Sequence, residues 1–320
     1  MTIEITTLRY SQKPVIFFSS GIGDGVLALP ALRALCFGFD GRASLVLKKG
    51  PDKFLFDGLR AHRLLFLDMW DSEAGPGMEF ATEAAGGLFH GCDLFLSFVD
   101  WQSPSLYRLK SECMVKPSLE SLREHNLCEP FDLEKHQFDS MFAISARLFP
   151  ELTIEQFSHP LEFSANVRGA GEEILQAFGG RVWIGFHPES SLPAKSCPGP
   201  FVEDVIKHLL GLSANLVVCV FGQKAEYSDL EAISNRVLVF NCLPLKLAAY
   251  LVSRMSLFIG VDSCFLHVAD ICRVPGVGLF GPTDCRFFGF RFSPHVHIRS
   301  DLHKIAGIEI ATAARSLSGF

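Results

Sequence analysis

The sequence lacks the features that mark membrane-spanning, secreted disulfide-rich and zinc-binding proteins. No apolar run approaches the roughly 20 residues that a membrane-spanning helix needs, and no signal-peptide pattern is present at the N-terminus. The ten cysteines form no C-x-x-C pair, so we expect reduced, mostly buried thiols and no metal site. We therefore expect a cytoplasmic protein that is at most peripheral at the inner face of the membrane.

Positive charge is also scarce, and it is unevenly distributed. The chain has 29 Lys and Arg against 35 Asp and Glu, a net charge of −6, which argues against non-specific binding to nucleic acid. Residues 1–165 carry 15 basic against 22 acidic side chains (−7), and the remainder carries 14 against 13 (+1). An anionic partner of the first half would need a local basic patch. Candidates for that patch are Lys48, Lys49, Lys53, Arg108 and Lys110.

The chain of 320 residues, 48% of them hydrophobic, is long enough for two packed domains. Short apolar runs alternate with helical stretches in both halves, and this alternation predicts parallel sheets covered by helices on both faces. We predict a first Rossmann-like domain over residues 1–165 and a second over residues 166–301. A C-terminal helix within residues 302–320 is expected to pack back on the first domain.

Two local expectations in the first half depend on particular residues. Pro30 lies inside a helical stretch predicted over residues 24–37, and it predicts a kink or a break there. Residues 68–83 are rich in Asp, Glu and Gly, a composition typical of an exposed loop, here expected to lead into a helix.

Two polar turns follow apolar runs in the second half. Asp262 and Ser263 come directly after a predicted buried strand and open a helix, where their side-chain oxygens would be good N-caps. The first N–H groups and the helix dipole make such a helix start a ready anion site, although an ordinary capped helix is the alternative. A second turn, Gly-Pro-Thr-Asp at 281–284, follows the next apolar run. Because ligands bind at the carboxyl ends of parallel strands, we expect a crevice there.

Three motifs, taken together, resemble the bacterial heptosyltransferase family, which transfers heptose from ADP-heptose onto the lipopolysaccharide core. The first is S-G-I-G-D at 20–24 with P-A-L-R-A-L at 30–35, and the second is H-P-E-S-S-L-P-A-K at 187–195. The third is G-V-D-S-C-F-L-H at 260–267, continued by V-P and by G-P-T-D at 281–284. The resemblance implies the GT-B arrangement, in which two doubly wound domains face each other across a cleft.

The resemblance also implies roles for two charged residues. Asp24 would be the general base that takes the proton from the acceptor hydroxyl, next to Gly23, which permits a tight turn. The alternative is that Asp24 only caps its helix. Lys195 would bind the diphosphate of the donor, and the alternative is a solvated surface lysine.

The remaining candidates belong to donor recognition or to the turns. Ser263 and the amide of Cys264 would bind the diphosphate, and Asp262 would accept from sugar hydroxyls. Glu226 is a candidate for the donor ribose, since a carboxylate can accept from both of its hydroxyls. His267, one helical turn after Ser263, either ties two turns together in the core or contacts the ligand. Thr283 and Asp284 either close the acceptor side or hold their turn.

The sequence departs from the family pattern at three positions. Cys264 replaces the Gly of D-S-G, Arg273 replaces the Gly before V-P, and Cys197 replaces an aromatic residue after the lysine. These changes leave the donor sugar and base open.

We expect an inverting, metal-independent glycosyltransferase that needs no cofactor, uses ADP-heptose as its donor substrate and has a glycan, small molecule or protein as acceptor. The alternatives are the same fold with another nucleotide-sugar and a natural-product, nucleoside or protein acceptor, or a catalytically weak protein that binds sugar nucleotides. The acidity of residues 1–165 favours a neutral or cationic acceptor over the anionic lipopolysaccharide core, which would need the basic patch.

Overall fold

A computed structural model of the chain describes residues 5–71, 78–81, 87–88, 92–98, 105, 134–177, 179–223 and 225–318. The chain divides into two compact units, Met1–Ser158 and His159–Phe320. The division lies seven residues before the predicted boundary, which followed residue 165. Over the described residues, no helix has the length and apolar character that crossing a membrane requires.

Over the described residues, a four-stranded parallel sheet lies at the centre of the first unit. The strands of this unit are β1 (Pro14–Phe18), β2 (Ser44–Lys48), β3 (Arg63–Leu67), β4 (Met69–Asp71), β5 (Met78–Phe80) and β6 (Leu94–Ser97). The helices are α1 (Ile22–Gly38), α2 (Gln137–Leu148) and α3 (Ile154–Phe157), with 3-10 helices at Ile5–Tyr10 and Pro51–Phe56. The sheet order is β3-β2-β1-β6. Strand β1 is fully buried, and α1 follows it in the chain.

Helix α1 continues through Pro30, so the expected break does not occur. A proline inside a helix removes a hydrogen bond and costs about 3 kcal/mol. Every residue from position 25 to position 32 is buried, and this packing offsets the cost. Ser145 of α2 also donates to the carbonyl of Ala31 at 3.0 Å, which fastens the two helices together beside the proline.

Residues 68–83 are not the plain loop that their composition predicted. Strands β4 and β5 pair antiparallel within this stretch, with Met69 opposite Phe80 and Asp71 opposite Met78. Phe80 is 1% exposed, and its ring centroid lies 6.0 Å from that of Phe17 in β1. The burial of this single aromatic side chain ties a segment of otherwise polar composition to the core.

The second unit contains a six-stranded parallel sheet. Its strands are β7 (Val182–His187), β8 (Leu216–Gly222), β9 (Val237–Asn241), β10 (Leu257–Val261), β11 (Gly276–Phe280) and β12 (His295–Arg299). Its helices are α4 (Ala165–Gln176), α5 (Gly199–Leu212), α6 (Leu245–Ser253), α7 (Cys264–Ile271), α8 (Cys285–Phe288) and α9 (Gly307–Ser318). The strand order β12-β11-β10-β7-β8-β9 places β7 and β10 side by side, with their carboxyl ends at one edge. Both units therefore have the predicted Rossmann-like α/β fold.

The C-terminal helix α9 belongs to the second unit, not to the first domain on which it was expected to pack. Its buried side chains Ile310, Ala311 and Ala314 are part of the same hydrophobic core as Val205 and Leu209 of α5. The backbone N–H of Gly307 also donates to Asp204 of α5 at 2.9 Å. The apolar face of α9 is thus already covered within its own unit.

Candidate functional site

The site predicted on the second unit centres on an ion pair between Lys195 and Asp262. The Nζ atom of Lys195 lies 2.7 Å from Oδ2 of Asp262, and the two side chains are 19% and 6% exposed. Lys195 ends a 3-10 helix, Pro193–Lys195, in the loop after β7, and Asp262 directly follows β10. Because β7 and β10 are neighbouring strands, their carboxyl ends bring together residues that are 67 positions apart in the chain.

The loop that carries Lys195 is closed by hydrogen bonds at its base. The N–H of Cys197 donates to the carbonyl of Pro188 at 2.7 Å, and the N–H of Ser190 donates to the hydroxyl of Ser196 at 3.0 Å. Cys197, one of the departures from the family pattern, is 2% exposed and belongs to the core of the unit. A small buried thiol at this position therefore anchors the loop and fixes the place from which Lys195 extends.

His267 lies near the other carboxylate oxygen of Asp262. Its Nε2 atom lies 3.8 Å from Oδ1 of Asp262, and its side chain is 4% exposed. Asp262 is therefore contacted by a cation through one oxygen and by an imidazole through the other. The contact joins His267 to the turn after β10, and the role of tying two turns together remains a prediction. A contact between His267 and a ligand also remains a prediction.

Helix α7 begins beside this ion pair, and Ser263 is its N-cap by backbone position. The expected capping bond from the Ser263 side chain is not formed. Its Oγ atom is buried and has no hydrogen-bond partner among the described residues. Cys264 follows as the first helical residue, and burial raises the pKa of its thiol to about 12, which keeps the sulfur neutral. The helix start thus presents a hydroxyl, a neutral thiol and the first N–H groups of α7.

The second polar turn lies next to the first, because β10 and β11 are paired. Asp284 caps α8 by accepting from the N–H of Arg286 at 2.9 Å. It also forms ion pairs with the guanidinium groups of Arg286 (2.8 Å) and Arg299 (3.0 Å). The hydrogen bonds from Arg286 hold the pKa of Asp284 well below its ordinary value, at about 2. These contacts hold the turn that carries Asp284, and a role for Asp284 at the acceptor side remains a prediction.

Thr283, the neighbour of Asp284, has an Oγ1 atom that is buried and unpartnered among the described residues. The turn also approaches the ion pair, since the ring centroid of Phe288 in α8 lies 6.0 Å from Nζ of Lys195. The hydroxyl groups of Ser263 and Thr283 are thus both buried polar atoms at the carboxyl ends of adjacent strands.

Two buried residues at this edge received no role from the sequence. His187 ends β7, and its Nδ1 atom lies 2.7 Å from the carbonyl oxygen of Phe221 in β8. Burial lowers the pKa of His187 to about 4, so the ring is neutral and donates to that carbonyl. Glu189 is 8% exposed and accepts from the N–H of Gln223 after β8. A carboxylate two residues after a buried strand was the available signal for Glu189.

Glu226 lies within the 3-10 helix Ala225–Ile233, but its side chain is outside the described part of the structure. Asp24 lies in the first turn of α1, in the other unit. Its Oδ2 atom accepts from the N–H of Gly21 at 3.2 Å and from the hydroxyl of Ser20. Gly23, half-buried, precedes it in the same turn. Asp24 thus makes the local bonds of a cap, and its part in proton transfer remains a prediction.

The chemistry of the second unit fits an anionic ligand with several hydroxyl groups. An ammonium group, a helix N-terminus and an unpartnered hydroxyl are donors to a phosphate, and a buried carboxylate accepts from sugar hydroxyls. Within the part of the chain that the structure describes, no three or more His, Cys, Asp or Glu side chains are grouped so that they could hold a metal ion.

The family model of "Glycosyltransferase family 9 (heptosyltransferase)" matches residues 118–311, more than half of the chain. The chain belongs to this family. It is therefore a glycosyltransferase. Its low sequence identity to solved members makes it a divergent member of the family. The match contains Lys195, Asp262, Ser263 and the 281–284 turn, whereas Asp24 lies before its first residue. Comparison with curated proteins finds no match.

Solved structures of family members share the fold over nearly the whole chain. A family 9 glycosyltransferase from Veillonella parvula is 17% identical, with a TM-score of 0.73 over 95% of this chain and 96% of that one. The E. coli ADP-heptose lipopolysaccharide heptosyltransferase II is 16% identical, with a TM-score of 0.68 over 95% and 98%. E. coli heptosyltransferase WaaC, solved with ADP, is 15% identical, with a TM-score of 0.68 over 93% and 98%. At these identities the likeness shows the fold of a family 9 glycosyltransferase.

Proposed function

We propose that this glycosyltransferase moves heptose from ADP-heptose to an acceptor hydroxyl, with inversion at the sugar carbon and without a metal ion. The observation that carries the proposal is the ion pair between the half-buried Lys195 and the buried Asp262, beside the Ser263 hydroxyl, which has no partner among the described residues. Two proteins of similar structure are an ADP-heptose lipopolysaccharide heptosyltransferase and a heptosyltransferase solved with ADP, and this supports ADP-heptose as the donor.

In the proposed complex, the donor diphosphate lies at the start of α7. It accepts from the Ser263 hydroxyl and from the first N–H groups of the helix, where the helix dipole favours negative charge. The Lys195 ammonium, which donates to Asp262, turns one of its remaining N–H groups to a phosphate oxygen. Asp262 keeps its contact with Lys195 and accepts from a sugar hydroxyl.

The chemical step follows from this placement. The acceptor oxygen attacks the anomeric carbon of heptose, and the bond from that carbon to the β-phosphate oxygen breaks, with its electron pair leaving on ADP. The proton of the acceptor hydroxyl passes to the carboxylate of Asp24. Lys195 and the N-terminus of α7 stabilise the charge that develops on the diphosphate, and this is why a metal is not required.

The acceptor is better suited to being neutral or cationic than strongly anionic. Two lysines of the candidate basic patch are already engaged. Lys49 pairs with Asp68 at 3.1 Å, and Nζ of Lys53 lies 4.9 Å from the ring centroid of Phe66. Arg108 and Lys110, the other part of the patch, lie outside the described residues. The charge of Lys49 is therefore balanced by a carboxylate, which weakens the basic patch near β2.

The direct test of the donor site is a thermal-shift titration with ADP in the presence of EDTA. At a hundredfold excess of ADP over its dissociation constant, the protein should gain about 2.7 kcal/mol of stability. Lys195→Ala should weaken ADP binding about tenfold or more, because one charge-assisted hydrogen bond is lost.

A suitable control is Lys207→Ala, which removes a lysine of α5 that is 57% exposed and paired with Glu203 on the same helix. This variant should bind ADP as the wild type does. If ADP, UDP and GDP all leave the melting temperature unchanged, with or without magnesium, the assignment of the diphosphate site is wrong.

A further inference from the structure

The pairing of β7 with β8 continues past the backbone ladder through two side chains at the end of β7 and in the loop after it. The ladder pairs each residue of β7 with the residue 34 positions later in β8. The ring of His187 then bonds to the carbonyl oxygen of Phe221, and Glu189 accepts from the N–H of Gln223, both at the same separation of 34 positions. These two side chains therefore extend the register of the strands as far as Gln223.

Pro188 explains why side chains take over from the backbone at this point. Proline has no N–H group, so it cannot donate to the neighbouring strand. Its carbonyl oxygen accepts instead from the N–H of Cys197 at 2.7 Å, within the loop that carries Lys195. The backbone ladder ends before Pro188, and the carboxyl group of Glu189 takes the place of a strand carbonyl as the acceptor for Gln223.

The carboxyl group of Glu189 is packed tightly against the end of β8. A Cβ atom on Gly222, the last residue of β8, would lie 3.2 Å from Oε1 of Glu189 and 2.5 Å from Cδ2 of Tyr227. Only glycine lets the carboxyl group and the aromatic ring approach the strand end this closely. Tyr227, 2% exposed, thus packs the start of the 3-10 helix Ala225–Ile233 against β8.

Glu189 in this way joins the two loops that carry the candidates for the diphosphate and the ribose of the donor. On one side, Glu189 belongs to the loop after β7, which carries Lys195. On the other side, it fixes the N–H of Gln223, three positions before Glu226. Glu226 directly precedes Tyr227, whose ring packs on the end of β8. The bond therefore sets the spacing between the backbone segments that carry Lys195 and Glu226.

Stability of the fold alone does not require a carboxylate at this position. Burying a carboxylate costs free energy, and Gln223 is exposed, so water could satisfy its N–H group. A charge-assisted hydrogen bond is shorter and stronger than a bond to water, and it holds the loop after β8 in one position. A fixed loop matters most where its residues must meet a ligand.

We propose that Glu189 is a positioning residue for the donor, which holds the loop after β8 so that Glu226 reaches the ribose hydroxyls while Lys195 binds the diphosphate. The inference rests on the proposed function, in which the second unit binds a nucleotide-sugar. Selection for a ribonucleotide is thus assigned to a residue that does not itself touch the donor. Removal of Glu189 weakens recognition of the ribose and leaves recognition of the diphosphate unchanged.

The test compares the binding of ADP with that of dideoxy-ADP, which lacks both ribose hydroxyls and is otherwise identical to ADP. In calorimetric titrations the wild type should prefer ADP about tenfold or more, because hydrogen bonds to a carboxylate are lost in the dideoxy form. Glu189→Ala should lower this preference to about twofold or less, and should bind dideoxy-ADP as the wild type does.

Two conservative variants separate the hydrogen bond from the charge. Glu189→Gln keeps an oxygen that can accept from the N–H of Gln223, and it should keep the preference for ADP within about threefold of the wild type. Glu189→Asp keeps the charge but withdraws the acceptor by one methylene group, and it should lose the preference as the alanine variant does. The reverse pattern would contradict positioning through this bond. The aspartate variant also serves where the alanine variant is too unstable to titrate.

The matched control is Glu231→Ala. Glu231 is an exposed carboxylate of the same 3-10 helix and accepts from the N–H of Val239 at 3.0 Å. Its removal breaks a bond of the same kind and should leave the preference for ADP unchanged. A loss of preference in Glu231→Ala as large as in Glu189→Ala would show a general effect of loosening the helix and would overturn the inference.

The double variant Glu189→Ala/Glu226→Ala decides whether the two residues act together. Because Glu189 acts through Glu226, the double variant should show the same preference as Glu226→Ala alone. An unchanged preference in Glu189→Ala, or equal weakening of both nucleotides, would overturn the inference and leave Glu189 a structural residue. A wild type that binds both nucleotides equally well would also overturn it, while the donor site would stand. A wild type that binds neither would contradict the proposed function itself.

Discussion

At the scale of single residues, the buried polar atoms of the second unit fall into two groups, those with hydrogen-bond partners and those without one among the described residues. Asp270, fully buried, accepts from the N–H groups of Arg291, Phe292 and Ser293 at 2.8, 2.8 and 2.9 Å. The hydroxyl of Ser263, in contrast, has no partner among the described residues. Leaving a buried polar atom unsatisfied costs about 1–3 kcal/mol. The first group therefore stabilises the fold, and the second is better explained by ligand binding.

This difference predicts opposite behaviour for two serine variants. Ser263→Ala should leave stability unchanged or slightly higher, since no hydrogen bond within the protein is lost, and should weaken ADP binding about tenfold. Ser293→Ala removes a buried hydroxyl that donates to the carbonyl of Asp270 at 2.9 Å. It should cost about 1 kcal/mol of stability and leave ADP affinity unchanged. Urea unfolding and ADP titration of both variants are the measurements, and equal ADP affinity in Ser263→Ala and wild type would contradict the assignment.

The sequence could indicate some of these residues and not others. Lys195, Asp262 and Ser263 lie in motifs that follow buried strands, and sheet topology places such positions together. Asp52 is different, because its burial depends on contact with a helix that begins 30 positions earlier in the chain. No pattern around Asp52 records that contact, so only the folded structure could reveal it.

At the scale of elements, the end of α7 explains one departure from the family pattern. Arg273, where the family has Gly, lies just after the helix and has a φ angle of 65°, the left-handed region that glycine adopts without cost. The guanidinium of Arg273 lies 4.7 Å from the ring centroid of Phe292, a contact that glycine could not make. The stacking interaction offsets part of the backbone strain.

Comparing two substitutions of Arg273 separates the energetic cost of the left-handed backbone conformation from the loss of the contact with Phe292. Arg273→Gly and Arg273→Ala both lose the contact with Phe292, but only alanine retains the cost of the left-handed conformation. Arg273→Gly should therefore be more stable than Arg273→Ala by about 1 kcal/mol. Chemical denaturation of both variants measures the difference. An alanine variant as stable as the glycine variant would show that the turn relaxes out of the left-handed region.

The elements that the sequence predicted well are the ones with strong local patterns. Strands β7, β8 and β10 are apolar runs of the kind whose alternation with helical stretches predicted parallel sheets. Strand β12, in contrast, was missed because His-Val-His-Ile-Arg has little apolar character, and its pairing with β11 decides its conformation. The antiparallel pair β4–β5 was missed for a similar reason, since one buried aromatic ring outweighs a polar composition.

At the scale of the whole molecule, the two units differ in charge. Residues 1–158 carry 15 basic against 21 acidic side chains (−6), and residues 159–320 carry 14 against 14, so the second unit has no net charge. The unit that is proposed to bind the anionic donor is thus neutral, with a lysine placed at the diphosphate. The unit that is proposed to bind the acceptor is acidic, which disfavours anionic acceptors.

The central claim is heptose transfer with Asp24 as the base. Its most direct test measures turnover from ADP-heptose by the wild type, by Asp24→Asn and by the control Asp57→Asn, which changes an exposed aspartate of the same unit. The anomeric configuration of the product is then determined by NMR. The wild type and the control should release ADP and form a product with inverted configuration. Asp24→Asn should bind ADP normally, because an amide can still accept from Gly21, and should lose about 10²-fold or more in turnover. Near-normal turnover of Asp24→Asn, or a product with retained configuration, would contradict the mechanism proposed for this enzyme.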